Sequence, residues 1–146
     1  MKKILTLVLV AYTIFSCSSD DDNDNQTSID CDVENSIAII SAELFENAPS
    51  DQVTINSLSI LNDDLTVNFS ASGCDGGSWE FKLISAEEVA ESDPPQRTLR
   101  LSLRNEELCQ AVITQELTVN ISNLQLEGNQ VVLNIANSDD SILYEY

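Results

Sequence analysis

The chain contains no histidine and few cations. Its 146 residues include six lysines and arginines against 25 aspartates and glutamates, which gives a formal net charge of −19. Without an imidazole, the chain cannot assemble a Ser-His-Asp or Cys-His nucleophile or a histidine metal site. Because cations are scarce, nucleic acid and anionic lipid surfaces are poor partners. The carboxylates leave a paired-carboxylate hydrolase open, but a solubilising surface is the favoured interpretation. The sequence indicates no catalytic residue and no cofactor.

Glycine is also scarce, and three of the four glycines lie in one stretch, at Gly73, Gly76 and Gly77. We expect this loop to adopt backbone conformations that other residues avoid. Trp79, the one tryptophan, follows the loop at the start of a strand pattern. A core anchor is the favoured role for this side chain. Its place beside the glycine loop keeps a ligand contact open.

Residues 4–15 form an apolar run that only two threonines interrupt. As a helix it reaches roughly 18 Å, well short of the ~30 Å hydrocarbon core, so it cannot span a membrane stably. Lys2 and Lys3 precede it, as in a secretion signal. The run ends in Ile14-Phe15-Ser16-Cys17, which resembles the lipobox of bacterial lipoproteins. This resemblance implies cleavage before Cys17, with a diacylglycerol on its sulfur and an acyl chain on its amine.

A short acidic run follows directly, and its residues are Ser18, Ser19, Asp20, Asp21 and Asp22. It resembles the export signal of surface lipoproteins in certain Gram-negative bacteria. That resemblance implies a protein in the outer leaflet of the outer membrane, facing the cell exterior. A solvated tether that holds an acidic domain away from the membrane is a second interpretation, compatible with the first.

The chain therefore divides into three predicted segments. Residues 1–16 are a lipoprotein signal peptide, and residues 17–35 are a lipidated, polar tether without apolar periodicity, which we expect to be disordered. Residues 36–146 form one domain, the natural number for this length. The implied partner at the N-terminus is membrane lipid, held through buried acyl chains.

From residue 36 onward apolar and polar residues alternate with a period of two, which is typical of half-buried strands. The segment 36–45 is ambiguous between a helical face and a strand, and its isoleucine-rich start favours a strand. The sequence predicts a β-bulge near Asn56, a hairpin at Asn62-Asp63 and another hairpin at 127–129. About eight short strands predict an all-β, antiparallel, immunoglobulin-like sandwich, with a small β-barrel as the alternative.

Four cysteines are present, and lipidation of Cys17 leaves three in an oxidising compartment. Cys74 and Cys109 both lie beside turns at strand ends, so we pair them. Cys31 then remains in the tether as a free or intermolecular thiol, although its bridge to either of the other two stays open. A metal site is not indicated, since isolated cysteines without histidine lack ligand spacing.

Two functions from different classes remain. The first is a non-enzymatic surface lipoprotein whose loops bind a glycan, a peptide or a protein. The candidate contacts are Trp79 with the loop 74–77, and the face that carries Arg100 and Arg104. For the arginines, neutralisation of neighbouring carboxylates across the sheet is the favoured interpretation. The second is a secreted carboxylate-based hydrolase or a hydrolase inhibitor that presents a loop.

Overall fold

The computed structural model describes residues 37–146, of which 57% lie in strands and 8% in helices. The strands are β1 (Ile39–Ile40), β2 (Thr54–Leu61), β3 (Asp64–Gly73), β4 (Glu80–Ala90), β5 (Gln96–Arg104), β6 (Ala111–Asn120), β7 (Gln130–Ile135) and β8 (Ser141–Glu145). One α-helix, α1, covers Ala42–Asn47, and a 3₁₀ helix covers Ser122–Leu124.

The strands form two open sheets. The order is β1-β4-β5-β7-β8 in the five-stranded sheet and β2-β3-β6 in the three-stranded sheet. The predicted all-β sandwich is confirmed, and residues 37–146 contain no closed barrel. The antiparallel prediction holds for most pairs but is wrong for two, because β1 runs parallel to β4 and β5 runs parallel to β7. Alternation of side chains fixes which face of a strand is buried, but it does not fix the direction of the neighbouring strand.

The core lies between the sheets. It contains alternate residues of β3 and β5, each at most 1% exposed: Leu65, Val67, Phe69, Leu99, Leu101 and Leu103. The predicted hairpin at Asn62 joins β2 to β3, and the predicted bulge appears as a register shift between Ile55 and Ser57. Asn62 has a φ of 55°, the left-handed conformation that such tight turns favour.

The prediction of a strand over 36–45 is wrong for its second half. Only Ile39–Ile40 form a strand, and α1 begins two residues later. Ser41 caps the helix, because its Oγ accepts a hydrogen bond from the Leu44 N–H at 3.2 Å. The helix lies against the outer face of the five-stranded sheet, where Ile84 is fully buried. Covering that apolar side chain favours a helix over further strand pairing.

The prediction of a hairpin at 127–129 is also wrong. The turn is present, with Gly128 at a φ of 113°, but β6 pairs in the three-stranded sheet and β7 in the other sheet. The 3₁₀ helix carries the chain across, and its Leu124 is fully buried between the sheets. Turn residues mark a reversal, but they cannot show which sheet the chain enters next.

The sandwich has two ends. We call the first the disulfide end, which comprises the loops 73–79 and 105–110. We call the second the Asn120 end, where Ile37 bridges to Asn120 and the Ala38 N–H donates to the Asn120 carbonyl at 2.9 Å. The ten residues of β3 separate the ends by roughly 30 Å. Within residues 37–146, no helix has the length and apolar character needed to cross a membrane.

Candidate functional site

A disulfide joins Cys74 to Cys109, as predicted, with the two Cα atoms 4.9 Å apart. It connects the residue after β3 to the loop before β6, next to the last β3–β6 pair, Gly73 with Ala111. Cys17, Cys31 and the acidic export run, whose roles the sequence analysis predicts, lie outside the described residues. At the disulfide end, therefore, a covalent bond and a strand ladder fix the same two loops.

The glycine loop folds around a carboxylate that the sequence analysis missed. Glu107 accepts hydrogen bonds from the backbone N–H groups of Cys74, Asp75 (3.3 Å) and Gly76 (3.2 Å). Its second oxygen accepts from Ser78 Oγ at 2.9 Å. Consecutive N–H groups that converge in this way form an anion-binding nest. The glycine-rich loop was the available signal, but the acid lies about thirty residues away in sequence.

This nest keeps Glu107 ionised. Desolvation raises the pKa of its carboxyl, but the hydrogen bonds from the Cys74 N–H, from Ser78 and from the next two N–H groups outweigh it and lower the pKa to about 2. The Glu107 carboxylate is therefore a fixed negative charge whose two oxygens are already occupied by the chain's own donors.

Two glycines permit this arrangement. A Cβ on Gly73 would lie 2.5 Å from Glu107 Oε2 and 2.8 Å from Trp79 Cζ2, which is too close for either neighbour. Gly76 has a φ of 74°, so the predicted unusual backbone conformation is confirmed there. These positions need glycine for close approach in one case and for a left-handed backbone in the other.

Trp79 lies beneath the loop and not on its surface. Its side chain is 7% exposed, and its ring centroid is 6.3 Å from that of Phe69 in the core. The structure thus gives Trp79 the core role that the sequence analysis favoured. The indole Nε1 is buried without a hydrogen-bond partner among the described residues.

Leu108 is the most exposed large apolar side chain of this end. It is 95% exposed, and Val112 at the start of β6 is 75% exposed. The residues on either side of Leu108 are both fixed: Glu107 is held in the nest, and Cys109 is held by the disulfide. Asn105 adds support, because its side chain donates to the Ser72 carbonyl at 2.6 Å and accepts from the Glu107 N–H at 2.9 Å.

A polar groove of about 350 Å³ lies at this end, and its lining includes Glu107 and Cys109, the two residues that flank Leu108 in sequence. Hydroxyl, amide and carboxylate side chains line it, including Thr54, Ser70 and Asp51. Asp51 Oδ2 accepts from the Asn105 N–H at 2.7 Å, so this carboxylate supports the loop. The groove and Leu108 together make the disulfide end a mixed polar and apolar surface.

Arg100 and Arg104 lie on a different surface, the outer face of the five-stranded sheet. Arg104 forms an ion pair with its cross-strand partner Glu80 at 3.6 Å, as the favoured interpretation predicted. Arg100 instead donates from Nη2 to the carbonyls of Leu44 (2.9 Å) and Ala48 (3.1 Å), at the C-terminal end of α1. The predicted contacts therefore do not form one site, because Trp79 and the arginines are in separate places.

The Asn120 end contains a partly buried polar cluster that the sequence analysis did not identify. Tyr144 donates to Asp63 and accepts from Gln125 Nε2 at 2.7 Å. Desolvation and the bond to Asp63 raise the pKa of Tyr144. Arg97 points into the interior and donates from Nε to the Leu124 carbonyl at 3.2 Å; desolvation lowers its pKa, and the charge of Tyr146 partly offsets this. In the sequence, the available signal for the inward position of Arg97 was its spacing of two residues from the apolar Leu99.

Within residues 37–146, no three cysteine, aspartate or glutamate side chains are grouped so that they could hold a metal ion.

No protein-family model matches the chain, and no curated protein matches it. Solved structures with partial similarity include a protein of unknown function, DUF1344, from Bacteroides vulgatus, with 15% identity, a TM-score of 0.48, and coverage of 75% of this chain and 55% of that one. Another is a putative toxin-related protein from Parabacteroides distasonis, with 17% identity, a TM-score of 0.46, and coverage of 76% and 59%. The chain spans less than two thirds of the length of each.

Proposed function

We propose that this chain is a lipid-anchored protein on the outer face of the outer membrane, where it acts as a non-enzymatic binding module. The lipobox-like residues before Cys17 support the anchor, and the acidic run Asp20–Asp22 supports outward display. Several buried acyl chains, at about 0.8 kcal/mol per CH₂, make such attachment effectively permanent. The predicted tether would enter the domain near Ile37, at the Asn120 end, so the disulfide end would lie away from it and be accessible to partners.

Leu108 is the single observation that carries the binding role. An exposed leucine on a mobile loop loses conformational freedom when it binds, and this loss weakens the complex. Leu108 avoids most of that cost, because the residues on both sides are held by hydrogen bonds and by a disulfide. An exposed apolar side chain on a fixed backbone is suited to fill an apolar pocket in a partner.

The partner that fits is a protein or peptide surface with an apolar pocket and a basic rim. The disulfide end carries negative charge, since Asp51 accepts from the Asn105 N–H, Asp75 lies in the glycine loop, and Glu106 is exposed two residues before Leu108. Complementary charge on the partner would speed association. A hydrolase inhibitor is one form of this proposal, in which the pocket belongs to a hydrolase. The carboxylates favour binding over catalysis, because Asp51 and Glu107 accept hydrogen bonds from the chain's own loops.

The test replaces Leu108 with the photo-crosslinker benzoylphenylalanine in the full chain on intact cells. We expect a discrete crosslinked product, because the side chain would enter the partner. Leu61, 76% exposed at the end of β2, is the matched control position. Crosslinking at position 61 should give no such product.

Added as a competitor, a second variant, Leu108→Asp, should be about thirtyfold less effective than wild type at suppressing the crosslinked product, because it has lost the central anchor. Leu61→Asp should compete like wild type. Equal products from positions 61 and 108, or full competition by Leu108→Asp, would refute Leu108 as the contact.

A further inference from the structure

A second surface, distinct from the disulfide end, brings together exposed positive charge and an apolar floor. It lies on the outer face of the five-stranded sheet beside α1. Lys82 pairs across β4 and β5 with Ser102, and Glu80 pairs with Arg104. Lys82 and Arg104 are therefore diagonal neighbours on one face, about 7–8 Å apart.

Positive charge is rare enough in this domain for its placement to matter. Residues 37–146 contain 18 aspartates and glutamates but only four cations, Lys82, Arg97, Arg100 and Arg104. Arg97 is buried in the interior, and Arg100 donates to the carbonyls of α1. The two exposed cations of the described residues thus meet at one place. Arg104 forms an ion pair with Glu80, whereas Lys82 forms no ion pair within residues 37–146.

Between these cations and the helix lies a groove of about 240 Å³, which we call the Lys82 groove. Its apolar lining comes from Leu44, Ala48, Pro49 and the fully buried Ile84. Leu44 is 41% exposed although it belongs to the helix that covers this sheet. The volume lies below the ~300 Å³ at which pockets for drug-sized ligands begin, so the groove suits a smaller molecule.

We propose that the Lys82 groove binds a small amphiphilic carboxylate, an organic acid with a compact apolar body. Its carboxylate would lie between Lys82 and Arg104, and its body would cover Leu44 and Ile84. The apolar lining does not suit inorganic phosphate or a free sugar acid, since either would leave those side chains without contacts. Elsewhere on this acidic domain an anion would be repelled, so charge complementarity selects this groove.

The test uses 3-phenylpropionate as the probe and observes the full chain by NMR titration. Two matched compounds separate the contributions of charge and apolar contact. 3-Phenylpropionamide has the same shape without the charge, and acetate has the charge without the apolar body. We expect saturable shifts at β4 and β5 with 3-phenylpropionate, and at least about tenfold weaker binding of both matched compounds.

Variants then assign the contacts. Lys82→Gln should weaken 3-phenylpropionate binding about tenfold, and Leu44→Ser should weaken it severalfold. Glu80→Gln should strengthen binding, because it frees Arg104 from a competing carboxylate, a result that a purely structural role for these residues does not predict. Leu61→Ser, remote from the groove, should leave binding unchanged.

Three results would overturn the proposal: equal binding of the acid and its amide, unchanged binding in Lys82→Gln, or weaker binding in Glu80→Gln. A peptide C-terminus would present the same chemistry, a carboxylate beside an apolar side chain. An acetylated peptide that ends in phenylalanine tests for this alternative. If it binds far more tightly than 3-phenylpropionate and with the same dependence on Lys82, the occupant is a peptide terminus and the small-acid proposal is wrong.

Discussion

At the scale of single residues, Glu107 organises the disulfide end. Its carboxylate receives three backbone N–H groups and one hydroxyl, so a glycine loop that would otherwise expose orphan donors is satisfied internally. The loop, the carboxylate and the disulfide together fix Leu108 in place. The negative charge of Glu107 is therefore a structural element of the proposed contact surface.

This arrangement predicts a specific pH dependence of stability. The pKa of Glu107 is lowered from 4.5 to about 2, so its hydrogen bonds contribute fully above pH 4.5, where the carboxyl is ionised in the unfolded chain as well. The contribution is lost as pH falls toward 2. We expect Glu107→Gln to be less stable than wild type at pH 7, and the difference in free energy of unfolding to shrink between pH 4.5 and 2.

Urea unfolding of wild type and Glu107→Gln at a series of pH values measures that difference. Glu106→Gln is the matched control, because Glu106 is the exposed neighbouring carboxylate. The free energy of unfolding of Glu106→Gln should follow the same pH profile as that of wild type. A constant gap between wild type and Glu107→Gln from pH 7 to pH 2 would show that the nest does not bind the ionised form.

Residue-level patterns in the sequence predicted the disulfide pair, the glycine loop and the core role of Trp79. They did not predict Glu107 as the ligand of the nest, because the partners are joined by tertiary contacts across about thirty residues. The arginines were identified as unusual, yet the role of Arg100 depends on α1, which the sequence pattern had assigned to a strand. Long-range hydrogen bonds thus account for most of what was missed.

At the scale of elements, α1 is the clearest departure from the sequence pattern. The apolar residues between Ile37 and Phe45 fit both a strand and a helix, and local propensity favoured the strand. Three contacts decide for the helix: the Ser41 cap, the Arg100 guanidinium on the last carbonyls, and the burial of Ile84. Two of the three come from other strands, so the sequence of the segment alone does not contain them.

Ser41→Ala should destabilise the fold by about 1 kcal/mol, the usual cost of removing an N-cap. The Leu44 N–H would lose its acceptor, and the helix would cover Ile84 less firmly. Ser59→Ala, at an exposed position on β2, is the control and should change stability by less than about 0.5 kcal/mol. Thermal unfolding of the three proteins measures this. If Ser41→Ala and Ser59→Ala behave alike, the cap does not hold α1.

The connections between sheets show the same limit. Alternation predicted the strands and their inward faces, because burial of one face follows from the period of the side chains. It could not predict that β6 and β7 enter different sheets, or that β5 and β7 run parallel. Those features depend on how Leu124 and its neighbours cross the core, which is a property of the assembled sandwich.

At the scale of the whole molecule, the proposed roles are separated in space. The predicted lipid anchor and tether join the domain at the Asn120 end, while Leu108 and the glycine loop lie at the disulfide end, roughly 30 Å away. The Lys82 groove lies on the outer face of the five-stranded sheet, and its residues Glu80 and Arg104 directly adjoin the loops of the disulfide end. This separation would leave Leu108 free to contact a partner while the opposite end of the domain is anchored to the membrane.

The most direct test of the central claim, outward display through Cys17, is protease treatment of intact cells. The chain has no lysine or arginine between Lys3 and Lys82, so trypsin cannot cut the tether, and an enzyme that cleaves at aspartate is required. Two variants are the controls. Cys17→Ala should leave the membrane fraction, and alanine at Asp20, Asp21 and Asp22 should keep the anchor but protect the domain from the enzyme.

For the wild-type protein, the account predicts that residues 37–146 are released into the medium as an intact folded domain while the cells remain sealed. Retention of the whole domain on sealed cells, with its release only after the outer membrane is broken, would contradict it.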